Sequence, residues 1–205
     1  MIRTAAVLLG AVALAGCALL STPDPVQLYR FGGDSGATPA AAPGTALASV
    51  SLRRIQFPDA AADDRLLAVT GAEAAYIAGA RWVSPAEDLF TDALVNAFSA
   101  DSRRVRLIGR QELTPADMIL DLDVRAFEAR YDRGQDAAPT VRVSARARML
   151  RFPERTVMAE RLFTVDQPAA DNRVSAIVAA FDAATAELNG QLVAWTDSVA
   201  GGEAG

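Results

Sequence analysis

The stretch Ile119-Leu120-Asp121-Leu122-Asp123-Val124-Arg125-Ala126-Phe127-Glu128 alternates apolar and charged residues, the pattern of a strand with one buried and one wet face. Within a strand expected over 116–131, Leu120, Leu122 and Val124 share one face, and Asp121, Asp123 and Arg125 the other. A second strand, expected over 139–152, repeats the alternation with the charge reversed. There Val141, Val143, Ala145, Ala147 and Met149 stand opposite Arg142, Ser144, Arg146 and Arg148. Paired antiparallel, the two strands bring an acidic row against a basic row across the sheet. A third alternation over 155–166, with Val157, Ala159, Phe163 and Val165 broken by Arg161, completes a meander.

Helical periodicity flanks this meander on both sides. Downstream, Val174, Ile177, Val178, Phe181, Leu188, Leu192, Trp195 and Val199 recur at helical spacing behind Asp171 as N-cap, giving a helix of roughly seven turns from about 172. Such a stripe reads as core, and it is too short to argue a coiled coil. Upstream, Ser84-Pro85-Ala86-Glu87 reads as a helix start, with Ser at the N-cap, Pro first in the helix and Glu reaching back. Leu89, Phe90, Ala93, Leu94, Ala97 and Phe98 then follow at spacings of three and four.

Shorter strands precede and link these helices. Residues 66–70 and 74–83 flank Gly71-Ala72-Glu73 and read as a hairpin. Residues 46–57 read as a strand burying Val50, Leu52, Ile55 and Phe57, with a bulge at Arg53-Arg54. Residues 103–108 form a short strand closed by Gly109. The expected unit is one domain over 47–199 of α/β (mixed α+β) class. It is built as a mixed, mostly antiparallel sheet packed with two helices.

Composition narrows the function. With 20 basic residues against 25 acidic ones, the chain carries a net charge of −5, and every basic residue is Arg. An acidic chain lacks the positive field that binds nucleic acid, so no nucleic-acid partner is expected. The absence of His removes the commonest general base and the commonest metal ligand. Ser and Thr hydroxyls are left without a His or Lys to activate them, so no catalytic residue and no enzyme activity is expected.

The single Cys decides more than the composition does. Met1-Ile2-Arg3-Thr4, an apolar run from Ala5 to Ala13 and Leu14-Ala15-Gly16-Cys17 have the three parts of an export signal. The apolar run is about a dozen residues, short of the roughly 20 that a lasting transmembrane helix requires. Leu14-Ala15-Gly16-Cys17 resembles the bacterial lipobox, so residues 1–16 are expected to be a lipoprotein signal peptide. Cys17 is then the lipidation site, palmitate among its acyl chains. Ala18 follows it and no Asp stands beside it, which resembles lipoproteins sorted to the outer membrane. The alternative is an ordinary secreted protein with an incidental Cys. Residues 17–46 read as the lipidated Cys and a flexible tether rich in Gly, Ala and Pro, although Val26 to Phe31 alternates enough for a strand. Residues 200–205 read as a disordered tail.

Taken in order, these features resemble the ABC-type transport auxiliary lipoproteins, also called PqiC-like. The residues that carry the likeness are Cys17, Tyr29-Arg30-Phe31, Arg81-Trp82-Val83-Ser84-Pro85, Ile119 to Glu128 and the long final helix near Trp195. The resemblance implies a fold similar to the amino-terminal domain of TolB and no catalysis. It implies a periplasm-facing place at the outer membrane, where the protein docks a transporter built from an ABC permease, an ATPase and a mammalian-cell-entry (MCE) protein. No cofactor is implied beyond the covalent lipid on Cys17, and a homo-oligomer is compatible with it. Alternative readings are a structural or assembly lipoprotein of TolB-like fold and a carrier that holds one lipid in an apolar cavity.

Three further groups carry a sharp and a bland reading each. Arg81 and Trp82 read as a partner-binding anchor or, alternatively, as an indole that covers the core beside the helix start. Asp121 and Asp123 share a face as a metal site would, but no Gly-turn loop accompanies them and an Arg row stands opposite, so no metal is expected. Arg103, Arg104 and Arg106 read as edge-strand protection rather than a membrane patch.

Overall fold

The alternation of residues 116–131 and 139–152 becomes the centre of the sheet. The computed structural model describes residues 25–33, 48–108 and 115–202. Along the chain these form β1 (Gln27–Tyr29), β2 (Ala48–Leu52), α1 (Asp59–Ala62), β3 (Arg65–Thr70), β4 (Glu73–Trp82), α2 (Ala86–Asp101), β5 (Val105–Ile108), β6 (Met118–Arg130), β7 (Thr140–Arg151), β8 (Val157–Pro168) and α3 (Val174–Ala200). Cys17, most of the expected tether, Gly109 and the last three residues lie outside the described residues.

Antiparallel pairing of β6, β7 and β8 supplies the expected meander. The other edge of β6 is shared in parallel by two strands in succession, β2 at Met118–Leu120 and β3 at Ala129–Arg130. Between them Gln56 bridges Asp123, and the chain then leaves the edge through α1 before returning as β3. Beyond β2 lies β5 in parallel, and beyond β3 come β4, antiparallel, and β1, parallel to β4. The sheet is therefore mixed and forks on one side of β6.

Two bulges set which residues face inward. Between Val124 and Ala126 the register with β7 shifts, so Arg125 is an extra residue. Leu120, Leu122 and Val124 before it and Phe127 and Ala129 after it thereby reach the same face, all buried. Between β7 and β8 the register shifts again at Met158, so Val157 stands opposite Leu150 rather than inward with Ala159. Strict alternation places Val157 in the core; the bulge turns it out, and it is 56% exposed.

Helices α2 and α3 cover one face. The apolar stripe of α2 buries Leu89, Phe90, Ala93, Leu94 and Phe98, while that of α3 buries Ile177, Phe181, Leu188, Leu192 and Val199. Phe127 lies at the centre, its ring 4.8 Å from Phe181, 5.1 Å from Phe31, 5.4 Å from Phe57, 6.3 Å from Trp82 and 6.4 Å from Phe90.

Several expected boundaries move. Ser84 does not cap α2: the N-cap position is Pro85, without a side-chain cap, and the Ala86 N–H donates instead to the Asp63 carbonyl at 3.1 Å. Asp171 likewise stands before the α3 N-cap, Arg173, and its carboxylate accepts the Arg173 N–H at 2.8 Å. A third helix, the single turn α1, joins the two expected ones. The largest change is at the amino-terminal side, where a domain starting at 47 leaves out β1 and Phe31. Phe31 is 2% exposed within the core, and the next residue binds as tightly. Gly32 adopts φ +66, a Cβ there would stand 2.5 Å from that of Ala93, and its N–H donates to Asp182 at 2.7 Å. The folded unit thus includes residues that composition assigns to the tether.

Candidate functional site

Trp82 ends β4 and faces inward. It is 2% exposed, with ring centroids 4.9 Å from Phe31 and 5.4 Å from Phe181, both edge-on. Its indole cannot reach a partner, so the anchor reading of Trp82 is corrected: the residue is a core aromatic, as its size favours beside a helix start. Arg81, on the opposite side of the strand, donates from one nitrogen to both Asp64 carboxylate oxygens at 2.7 and 2.9 Å. It remains half-exposed, a surface ion pair rather than a free cation.

The uncovered face of the sheet carries the charged rows. Register places Asp121 opposite Arg148, Asp123 opposite Arg146 and Glu128 opposite Arg142. Asp121 is 4% exposed and accepts from Arg148 at 2.6 Å, with Arg53 at 3.9 Å. Asp123 accepts from Arg125 at 2.9 Å and Arg146 at 3.3 Å. These carboxylates are engaged by guanidinium groups, and among the described residues no cluster of three metal-ligating side chains forms.

At the far end of the same face, Arg142 makes two hydrogen bonds of 2.7 Å to Asp166 and holds its carboxyl below the usual 3.8. Because the folded value lies below the unfolded one, this pair stabilises the fold above the unfolded value and ceases to do so as pH falls through the folded value. We expect Asp166→Asn to cost roughly 0.2–1 kcal/mol at neutral pH, the range of an exposed pair, with the difference from wild type closing in acid. Urea titrations at pH values on either side of the carboxylate range check this.

A concavity lies elsewhere, where β2 parts from β6 and passes under α2. A groove of about 430 Å³ is floored by Leu52, Ile55 and Leu107 and walled by Val95, with Arg54 bound to Glu87 at 3.1 Å across it. It continues along Gln56 and Phe57 into a second opening, where Asp59, Asp63, Glu87 and Asp121 outnumber Arg53 and Arg54. An apolar floor between paired and surplus acidic groups suits a polypeptide segment better than an anionic ligand. The sequence signals this place only through the break in alternation at Arg53-Arg54. The groove itself depends on how β5 and α2 come together from distant parts of the chain.

The motifs that carry the family resemblance meet in space. Tyr29 pairs with Trp82 in the β1–β4 register, the Val83 N–H donates to the Tyr29 carbonyl at 2.8 Å, and Phe31 packs on Trp82. Two short sequence motifs some fifty residues apart are thus one joint. A family model described as "ABC-type transport auxiliary lipoprotein component" matches residues 29–193, from this joint to the last turns of α3. The chain belongs to that family.

Solved structures agree with the assignment. Protein XCC0632 from Xanthomonas campestris, of the family DUF330, is 26% identical, with a TM-score of 0.73, covering 86% of this chain and 98% of its own. An uncharacterized protein at 15% identity and a TM-score of 0.65, covering 84% of this chain and 99% of its own, shares the fold. So does the hypothetical protein CT253 from Chlamydia trachomatis, at 11% identity and a TM-score of 0.52, covering 76% of this chain and 98% of its own. A search of curated proteins gave no match. As a member of this family the chain is an auxiliary component of ABC-type transport and a lipoprotein, which implies association with a membrane.

Proposed function

We propose that this auxiliary lipoprotein is held at the outer membrane by lipid on Cys17 and docks an MCE-type ABC lipid transporter on its periplasmic side, without catalysing a reaction. The observation that carries the reading is the extent of the family match, which runs from β1 to α3 and so attaches the auxiliary role to this fold as a whole. The site geometry is compatible with a scaffold: Arg–carboxylate pairs occupy the open sheet face, and the acidic groove beside α2 has room for a segment of a partner. Crosslinking of the full-length chain in its own envelope, followed by purification, tests the proposal. We expect an MCE-domain protein with its permease or ATPase to be recovered. Recovery of an outer-membrane assembly without any transporter subunit overturns it.

A further inference from the structure

Among the described residues eight large hydrophobic side chains stand exposed, and four of them gather at one place: Val26, Leu28, Tyr76 and Val83, on β1, on β4 or directly beside these strands. Apolar residues scattered singly over a surface need no explanation, but these are contiguous. Register sets Leu28 beside Arg81 and Arg81 beside Arg65, and the Arg65 guanidinium stands 3.8 Å over the Tyr76 ring. Val26 leads into β1 at 48% exposure, and Leu28 within it reaches 54%. The Val83 N–H donates to the Tyr29 carbonyl, which keeps Val83 against the same edge.

The composition of this edge suits a lipid boundary. Its aliphatic side chains favour hydrocarbon, while a tyrosine with an arginine stacked on it presents an apolar body and a polar tip, as residues do where headgroups meet water. Asp64 neutralises Arg81, whereas Arg65 makes no ion pair among the described residues, so its charge can meet a phosphate.

The length of chain before β1 favours a lipid over a protein surface. On the reading that Cys17 carries the acyl chains, Val26 is nine residues beyond the anchor, at most about 30 Å of fully extended chain. β3, which carries β4 and β1 beyond it, meets β6 at Ala129–Arg130, whereas Phe152 follows the Arg151–Met118 pair at the opposite end. Those two ends of β6 lie about 36 Å apart. The anchor thus keeps the β1–β4 edge near the bilayer.

We propose that the β1–β4 edge is a lipid-contact surface, with Val26, Leu28 and Val83 at the headgroup boundary of the anchoring membrane and Tyr76 and Arg65 among the headgroups. The contact is too small to retain the chain alone; the acyl chains bring it within reach. In return it orients the domain, turning the Phe152 end away from the membrane. This inference rests on the lipidation of Cys17 and not on which transporter is served.

Full-length lipidated protein in vesicles of phosphatidylethanolamine and phosphatidylglycerol tests it, because acylation leaves Cys17 without a free thiol and an introduced Cys is then the one labelling site. Bimane is attached at Leu28→Cys, at Val26→Cys outside the strand, and at Leu162→Cys and Phe152→Cys away from the edge. Apolar side chains at such a boundary sit about 5–10 Å deep, so lipids brominated near the top of their acyl chains are expected to quench both edge labels by about half. The labels on Leu162→Cys and Phe152→Cys are expected to keep their emission. Protein that floats with the vesicles while its edge labels stay unquenched overturns the proposal. Equal quenching at all four sites overturns it as well, since the domain then has no preferred edge on the lipid. So does a blue-shifted but unquenched label on Leu28→Cys, because a protein surface then covers β1. Protein that does not float overturns the anchor reading itself, and this inference with it.

Discussion

Cys17→Ser is expected to release the protein from the membrane. The family is a lipoprotein component, so attachment is expected to come from acyl chains on this sulfur. Each buried methylene contributes about 0.8 kcal/mol, and two or more chains make attachment effectively permanent, so their loss moves the chain wholly to the soluble fraction. Fractionation of cells carrying wild type and Cys17→Ser is the measurement. Wild type should require detergent for extraction, and mass spectrometry should find acyl chains on its first residue. A variant that still pellets with membranes removes Cys17 as the anchor.

The second large effect is on stability. Phe127→Ala is expected to cost about 3–5 kcal/mol, the range for truncating a fully enclosed aromatic residue. The reason is its place among Phe31, Phe57, Trp82, Phe90 and Phe181, which come from the segment just after β1, the β2–α1 connection, β4, α2 and α3. No single neighbour can collapse into the space without moving a whole element. Urea unfolding followed by tryptophan fluorescence reads the loss, and Phe152→Ala, at a position 43% exposed, serves as the control with little change. A cost under about 1 kcal/mol for Phe127→Ala shows that the cluster repacks, contrary to this account.

How much of this was legible depended on whether the determining contacts were local. The β6–β7 pairing was, because Asp121 and Asp123 had no better partners than the Arg row of the next strand, and the register realises those pairs. The β3–β4 turn was also legible, since Gly71 takes φ +59 as a tight hairpin connection requires. Bulges were not: nothing in the alternation marks Arg125 or Met158 as extra, yet each reverses the inward face beyond it. The helix starts shifted because backbone partners elsewhere, such as the Asp63 carbonyl, took over the role expected of Ser84.

Trp82 shows the limit for single residues. Beside Arg81 its exposure was undecided in the sequence, because what buries it is Phe31, contributed by a segment whose neighbours read as linker. The groove beside α2 was hidden for a similar reason. Its walls come from β2, β5 and α2, and their parallel pairings depend on contacts far apart in the chain.

The joint of β1 with β4 has a mechanical consequence. The chain enters β1 from its amino-terminal end and runs parallel to β4, from Gln27 beside Ala80 to Tyr29 beside Trp82. Tension arriving from an anchor upstream would therefore act along the strand axis. The β1 hydrogen bonds, the Phe31 ring and the Gly32–Asp182 contact would be loaded together in shear rather than unzipped one by one. A domain tugged by a membrane at one side and a transporter at the other would take the load first at this stitch, where the leash is sewn into the cloth.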